Sequence, residues 1–553
     1  MTVAAPDERT RVGWLLAGLA VGVAVTAGVV LLAVRVIGGG SPPEAAPAPS
    51  LSLAEGTGVD QVYDGDFQYF VGGGVAPFDC NADGLPDLYL PGGSSTAALY
   101  VNQSTPGDIR FSRLADPVTD LDSVTGAYPI DIDSDSITDL VVLRVGENVV
   151  LRGLGSCHFE RANEEWGIDG GEYWTAAFSA TWEEGQAFPT LVFGNYLRLT
   201  ENGTRDQCED HQLLRPDGQG YLPPTSLSPG WCTLSVLFSD WDRTGERDLR
   251  ATNDRHYYRD GQEQLWHIAP GEPPTLYTAA DGWQTMQIWG MGIATQDLTG
   301  DGYPEVFLTS QGDNKLQTLT DGSGEPAYQD IALALGATAH RPFAGDTTLP
   351  STAWHAEFDD VNNDGYMDLL VTKGNVDEQI GFAMEDPNNL LLGQSDGTFV
   401  EGAQAAGFVD YSRSRGAALT DLDLDGALDA VVVERREPVT VWHNSGLLAD
   451  GTPVGSWLAV RLAQPAPNVD AIGSWVEMRS QGTTTEREVT IGGGHAGGEL
   501  GWIHFGLGTA DAAELRVTWP DGRMTSWLPV EADTFLVVDR ATGTAETWSP
   551  LQD

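Results

Sequence analysis

Six stretches of this chain repeat one pattern, and that pattern limits the fold more than any other feature. They read DCNADGLPDLYL from Asp79, DIDSDSITDLVVL from Asp131, DWDRTGERDLRA from Asp240, DLTGDGYPEVFLT from Asp297, DVNNDGYMDLLVT from Asp360 and DLDLDGALDAVVV from Asp421. WEEGQAFPTLVF, from Trp182, keeps the rhythm and the apolar tail without the aspartates. Counting it, the seven starts lie 51 to 63 residues apart. Each unit runs from a short apolar stretch such as GGGVAPF through the acidic loop to a second apolar run, then one or two weaker ones. Runs this short, bounded by turn residues, are strands. Four strands per unit at this period is the pattern of a propeller blade. The expected fold class is all-β: a seven-bladed β-propeller with calcium-binding hairpin loops over residues 55–450, then a small β-rich C-terminal domain over 455–540 and a tail, 541–553.

The loops themselves name the ion. Positions 1, 3, 5 and 9 are Asp79, Asn81, Asp83 and Asp87; Asp131, Asp133, Asp135 and Asp139; Asp240, Asp242, Thr244 and Asp248; Asp297, Thr299, Asp301 and Glu305; Asp360, Asn362, Asp364 and Asp368; and Asp421, Asp423, Asp425 and Asp429. Every one carries oxygen, and glycine stands at position 6 in five of the six loops. Oxygen-only ligands in a tight turn suit Ca²⁺, whereas an EF-hand needs a bidentate Glu at position 12 between helices. Position 12 is Leu90, Val142, Ala251, Leu308, Val371 and Val432, so the EF-hand reading fails. Up to six structural Ca²⁺ are expected, in loops that hold 20 carboxylates.

Charge narrows the partners. With 80 Asp and Glu against 29 Lys and Arg, the net charge of -51 repels nucleic acid. From Val12 to Val34 no residue is charged, a length that spans roughly 30 Å of hydrocarbon as a helix. Residues 1–11 are then cytoplasmic, 12–37 a signal anchor, and 38–54 a Gly/Pro/Ala linker. That puts the protein in the cell membrane as a single-pass chain with its folded domains extracytoplasmic, or secreted if the segment is cleaved. Four cysteines fit an oxidising compartment. Cys208 and Cys232 flank one loop, which leaves Cys80 with Cys157, although three pairings are open from sequence.

The loops resemble FG-GAP/VCBS-type repeats. Residues 455–527 resemble an ASPIC/UnbV domain through WLAVRL, NVDAIG, REV, HFGLG and WPDG. Together the two parts are similar to the cartilage acidic protein family. That resemblance implies a secreted matrix protein in animals. In some bacterial members it implies cofactorless carbon-carbon bond formation in enediyne pathways.

Five places before each loop stand Gly74, Gly126, Ala177, Ser235, Gly292, His355 and Gly416; close by are Trp174, Trp289, Met291, Trp354, Arg413 and Arg415. If the first strand lines the channel, six small residues mark crowding near the axis. Trp174, Trp289, Trp354, His355, Arg413 and Arg415 then form either a ligand funnel or a plug. His355, Arg413 and Arg415 are the catalytic candidates, His355 for proton transfer. GGGHAGG at 492–498 reads as a turn. No GxSxG, HExxH, P-loop or βαβ-type GxGxxG occurs. Two functions stand: a module that binds an unknown protein or small hydrophobic ligand, and a cofactorless cyclase or C-C bond-forming enzyme of natural-product biosynthesis.

Overall fold

The computed structural model describes residues 46–198, 207–254, 261–320, 322, 324–345 and 347–550. The expected cytoplasmic end, membrane anchor and first part of the linker lie outside them. Among the described residues no helix is long and apolar enough to cross a membrane.

The chain is all-β. Each repeat folds into four antiparallel strands, as in the sixth: Ala353–Asp359, Asp368–Lys373, Asn389–Gly393 and Phe399–Glu401. The acidic loop joins the first two strands, and Asp359↔Asp368 is the last pair before it. Apolar residues of both faces are buried, so neighbouring sheets share cores: Phe307, Phe358, Leu369 and Phe399 fill one such layer. Sheets two and three also join edge to edge where Trp174 pairs with Val145. The first strands follow one another in chain order, each beside the next, and Ala76–Phe78 of the first unit touches Ser414–Thr420 of the seventh. This is a propeller-like arrangement.

The register explains the small residues upstream of each loop. In units two to seven the first strand carries an irregularity in pairing, between Val124 and Gly126, Thr175 and Ala177, Thr233 and Ser235, Gly290 and Ile293, Ala353 and Ala356, and Ser414 and Ala417. A bulge turns the backbone at that point and suits small side chains.

Two boundaries differ from the sequence reading. Pro49–Leu53, expected as linker, pairs with Thr440–Leu448 and supplies the outer strand of the seventh sheet. Its short alternation, with Leu51 buried and Ser52 outward, is too brief to stand out beside a Pro/Ala run. Thr544–Trp548, expected as tail, pairs with Thr534–Asp539.

The C-terminal domain is a sandwich of two four-stranded sheets around Leu458, Val460, Val476, Phe505, Leu515 and Val517. Between its strands Thr483–Glu488 and Ile503–Gly508 the chain leaves the sandwich and runs in among the first strands of the repeats. Bridges tie Ile491 to Ala180, Gly492 to Leu237, Gly494 to Ile293, Gly497 to Ala127 and Leu500 to Phe78. GGGHAGG is therefore an inserted finger. Ala496 and His495 at its tip are wholly buried. This is why the axial positions are small: a Cβ on Gly126 would lie 1.7 Å from the Ala496 carbonyl oxygen.

Candidate functional site

The acidic loops are built alike. The position-1 carboxylate turns back into its own loop, as Asp421 accepts the N–H of Asp425 at 3.1 Å and of Gly426 at 2.8 Å. Position 9 has a different job: Asp429 accepts from Leu422 N at 3.1 Å and from Asn444 N of the third strand at 2.8 Å. Asp87, Asp139 and Asp368 repeat both contacts. This residue clamps loop to sheet, a role that spacing alone did not disclose, and each oxygen keeps a second lone pair for a metal.

Within two loops the carboxylates converge. Asp131, Asp133 and Asp139, and likewise Asp421, Asp423 and Asp429, bring oxygens within 4.8 Å of one another. Oδ1 of Asp133 and Oδ1 of Asp423 are buried with no hydrogen-bond partner. Burial, with neighbouring carboxylates adding to it, pushes Asp131 up to about 7 and Asp139 up to about 8. Asp421 and Asp429 are raised for the same two reasons. Oxygen-only donors with orphaned lone pairs fit a hard divalent cation, whose charge would remove the cause of those shifts.

The loops are not equivalent. In the second, Arg152 already pairs with Asp133 at 2.9 Å and Asp135 at 3.4 Å, and Ser136 takes the left-handed glycine place. Thr244 and Asp301 of the fourth and fifth loops stay at the surface, and Asp242 is half-buried. In the third unit, where ligands are lacking, Glu183 ties the loop down through Arg215 at 2.6 Å and Thr190 at 2.7 Å. An arginine stands there in place of an ion.

The aromatic and cationic residues upstream of the loops come together only in part. Trp174 and Trp354 are fully buried and pack with Phe70, Met291 and Tyr196. Arg415 stacks over Trp354 at 4.0 Å and is equally buried. Its guanidinium donates to the carbonyls of Phe70, Ser414, Asn375 and Val376. Four of its five N–H donors are thus taken by backbone carbonyls, in a position with no exposed surface. Arg413 reaches the surface and joins Arg435 and Arg436 on Asp377 Oδ1, at 3.5, 3.0 and 3.0 Å. Trp289 is half-buried against Phe382.

His355 faces the other way, toward the finger. Its Nδ1 accepts the N–H of His495 at 3.1 Å, which leaves the proton on Nε2, 3.3 Å from Glu357 Oε2. Burial lowers both imidazoles to about 3, so they are neutral.

Beyond His355 lies a cavity of about 470 Å³ between the first strands and the C-terminal domain, walled by Val75, Ile293, Phe358 and the finger. Glu357, Glu488 and Glu499 face it. All three carboxyls are raised, first by desolvation among the packed strands, although Glu499 keeps exposed surface, which weakens that cause there; Glu357 and Glu499 also feel Asp359, and Glu488 feels Asp240. None of the three was singled out from the sequence. Glu488 is the middle residue of the REV match, which the sequence marked only as part of a strand.

The C-terminal domain sits over the loops themselves. Trp502 Nε1 donates to Gly84 O at 3.3 Å, His504 Nε2 meets Asn363 Oδ1 at 2.6 Å, and Arg243 stacks on Trp475 at 3.8 Å. Disulfides join Cys80 to Cys157 and Cys208 to Cys232.

Repeat sheets capped by such a domain define the class of protein. Residues 297–371 and 360–432 match the FG-GAP-like repeat, and residues 464–545 match ASPIC and UnbV. The relatives agree with the resemblance read from the sequence. The chain is 24% identical over 246 residues to cartilage acidic protein 1 of Mus musculus, covering 43% of this chain and 34% of that protein. Against the Xenopus tropicalis protein of the same name it is 25% identical over 265 residues, covering 46% and 37%. It thus spans about a third of the length of the curated relatives it matches. Among solved structures, BBS1N in complex with ARL6DN, soaked with mercury, aligns at 12% identity and TM-score 0.42 over 72% of this chain and 98% of that one. A lectin of Agrocybe aegerita, described as recognising non-reducing terminal N-acetylglucosamine, aligns at 15% identity and TM-score 0.35 over 66% and 93%.

Proposed function

We propose that the chain is an extracytoplasmic, membrane-anchored module whose seven sheets form a closed, calcium-stabilised β-propeller that binds a partner or small ligand. The observation that carries it is the convergence of buried, oxygen-only carboxylates in the repeat loops. Two disulfides support an oxidising location. Atomic absorption after gel filtration in calcium buffer should find several ions retained per chain, six at most. The second loop is expected to be the weakest site, because Arg152 competes there. A chain that retains none overturns the reading.

One observation favours the second reading, a cofactorless biosynthetic catalyst for ring closure or C-C bond formation. A neutral His355 is hydrogen-bonded to Glu357 beside a partly open cavity. Incubated with polyketide-type intermediates, the chain should then show turnover that His355→Ala abolishes. Equal turnover in that variant sinks the catalytic role, and the packed environment of Arg415 gives it no direct part.

A further inference from the structure

We infer that the cavity between the repeat sheets and the C-terminal domain binds a small organic cation with an apolar body, its ammonium group facing Glu357, Glu488 and Glu499. The inference rests on the binding-module reading and adds the site and the ligand class.

Size comes first. About 470 Å³ falls within the roughly 300–1,000 Å³ usual for small-molecule sites. Much of the wall is apolar, with Val75, Pro77, Ile293 and Phe358 among the lining residues. A hydrated ion alone would leave that surface uncovered.

Charge comes second. Of the two arginines at the cavity, Arg487 is hydrogen-bonded elsewhere but its charge still reaches Glu357 and Glu499, and Arg461 is turned toward Trp502 and Asp79. Arg487 pairs with Asp359 at 2.7 Å and donates to the carbonyls of His504 at 2.9 Å and Phe358 at 3.2 Å. Arg461 stacks over Trp502 at 4.5 Å and faces Asp79 at 3.9 Å. Among the described residues, neither Glu357 nor Glu499 forms an ion pair with Lys or Arg, and Glu488 is held only by Ser239 Oγ at 2.7 Å and Asp240 N at 2.8 Å. Three carboxylates against the one nearby charge of Arg487 leave this wall net acidic, and a cation entering the space would be attracted to it.

Geometry then separates a metal from an organic cation. The carboxylate groups close enough to hold one ion lie in the loops, and among the described residues none of them includes Glu357, Glu488 or Glu499. These three line the same cavity without converging on one point as metal ligands do. The site is also composite: Glu357 comes from the sixth repeat, whereas Glu488 and Glu499 flank the finger of the C-terminal domain. It exists only with that domain in place.

Isothermal titration of the calcium-saturated full-length chain with phenethylamine tests this, with 2-phenylethanol and 3-phenylpropionate as neutral and anionic counterparts. The amine should bind saturably and the alcohol about tenfold or more weaker, with the acid not binding. Glu357→Gln and Glu499→Gln, near-isosteric changes, should each weaken the amine about tenfold while melting in calcium stays at the wild-type temperature. An alcohol that binds as tightly as the amine overturns the inference, as do folded variants that bind it like wild type, or an amine that does not bind. Calcium is held in excess throughout. Failure here therefore leaves the calcium reading standing, and a chain indifferent to EDTA that still binds the amine separates the two the other way.

Discussion

Stripping calcium with EDTA should lower the melting temperature of this chain by about 20 °C. The expectation follows from mass action: an ion present at a hundredfold over its dissociation constant adds about 2.7 kcal/mol per site. Four filled loops would add about 10 kcal/mol, and each kcal/mol moves the midpoint of a chain this size by about 2 °C. The physical source is visible in the seventh loop. Asp421, Asp423 and Asp429 are buried side by side, and Asp429 also clamps the loop to Leu422 and Asn444. Left without a counter-ion, such groups repel or take up protons, and either weakens the hairpin. Differential scanning calorimetry in calcium and in EDTA measures it. Coincident transitions would sink the calcium reading for the whole repeat array.

Filling the axis should be nearly as damaging. Gly126→Leu is expected to cost more than about 4 kcal/mol, above the usual 1–3 kcal/mol for overpacking, because the obstruction is backbone and cannot rotate away. A Cβ there meets the Ala496 carbonyl oxygen at 1.7 Å and the Ala496 carbonyl carbon at 2.7 Å. The finger then has to leave, and with it go the bridges of Ile491, Gly492, Gly494, Gly497 and Leu500. Two readouts should move together: the denaturant midpoint falls, and the stretch around GGGHAGG becomes a protease cleavage site. A variant with the wild-type midpoint and an uncut finger would show that residues 492–498 do not occupy the axis.

The repeats were legible because each carries its own local code: turn glycine, alternating oxygen ligands, apolar run. Both disulfide pairs also matched the sequence reading, one of them spanning a short loop. What escaped was set by distance along the chain. PSLSL pairs with strand residues almost 400 positions away, and nothing within five residues announces that partner. GGGHAGG reads as a turn until the ring of small residues at Gly74, Gly126 and Gly416 is placed around it. Trp174 and Trp354 share one buried cluster, and Arg415 lies over Trp354. Sequence could not tell a packed cluster from an open funnel, because the deciding contacts are the carbonyls of Phe70, Asn375 and Val376. The cavity acids share this origin, since Glu499 meets the surroundings of Glu357 only when the two domains dock.

If the chain is membrane-anchored as proposed, the strand Pro49–Leu53 bears on how it could be released. It is the outermost strand of the seventh sheet, held along its length by Thr440–Leu448. A sheddase that cuts before Pro49 would free a molecule with that sheet intact. A cut after Leu53 would leave the strand behind on the stalk and expose the Thr440–Leu448 edge to any passing strand. Where the chain is severed thus decides whether it is discharged whole or as a species prone to self-association.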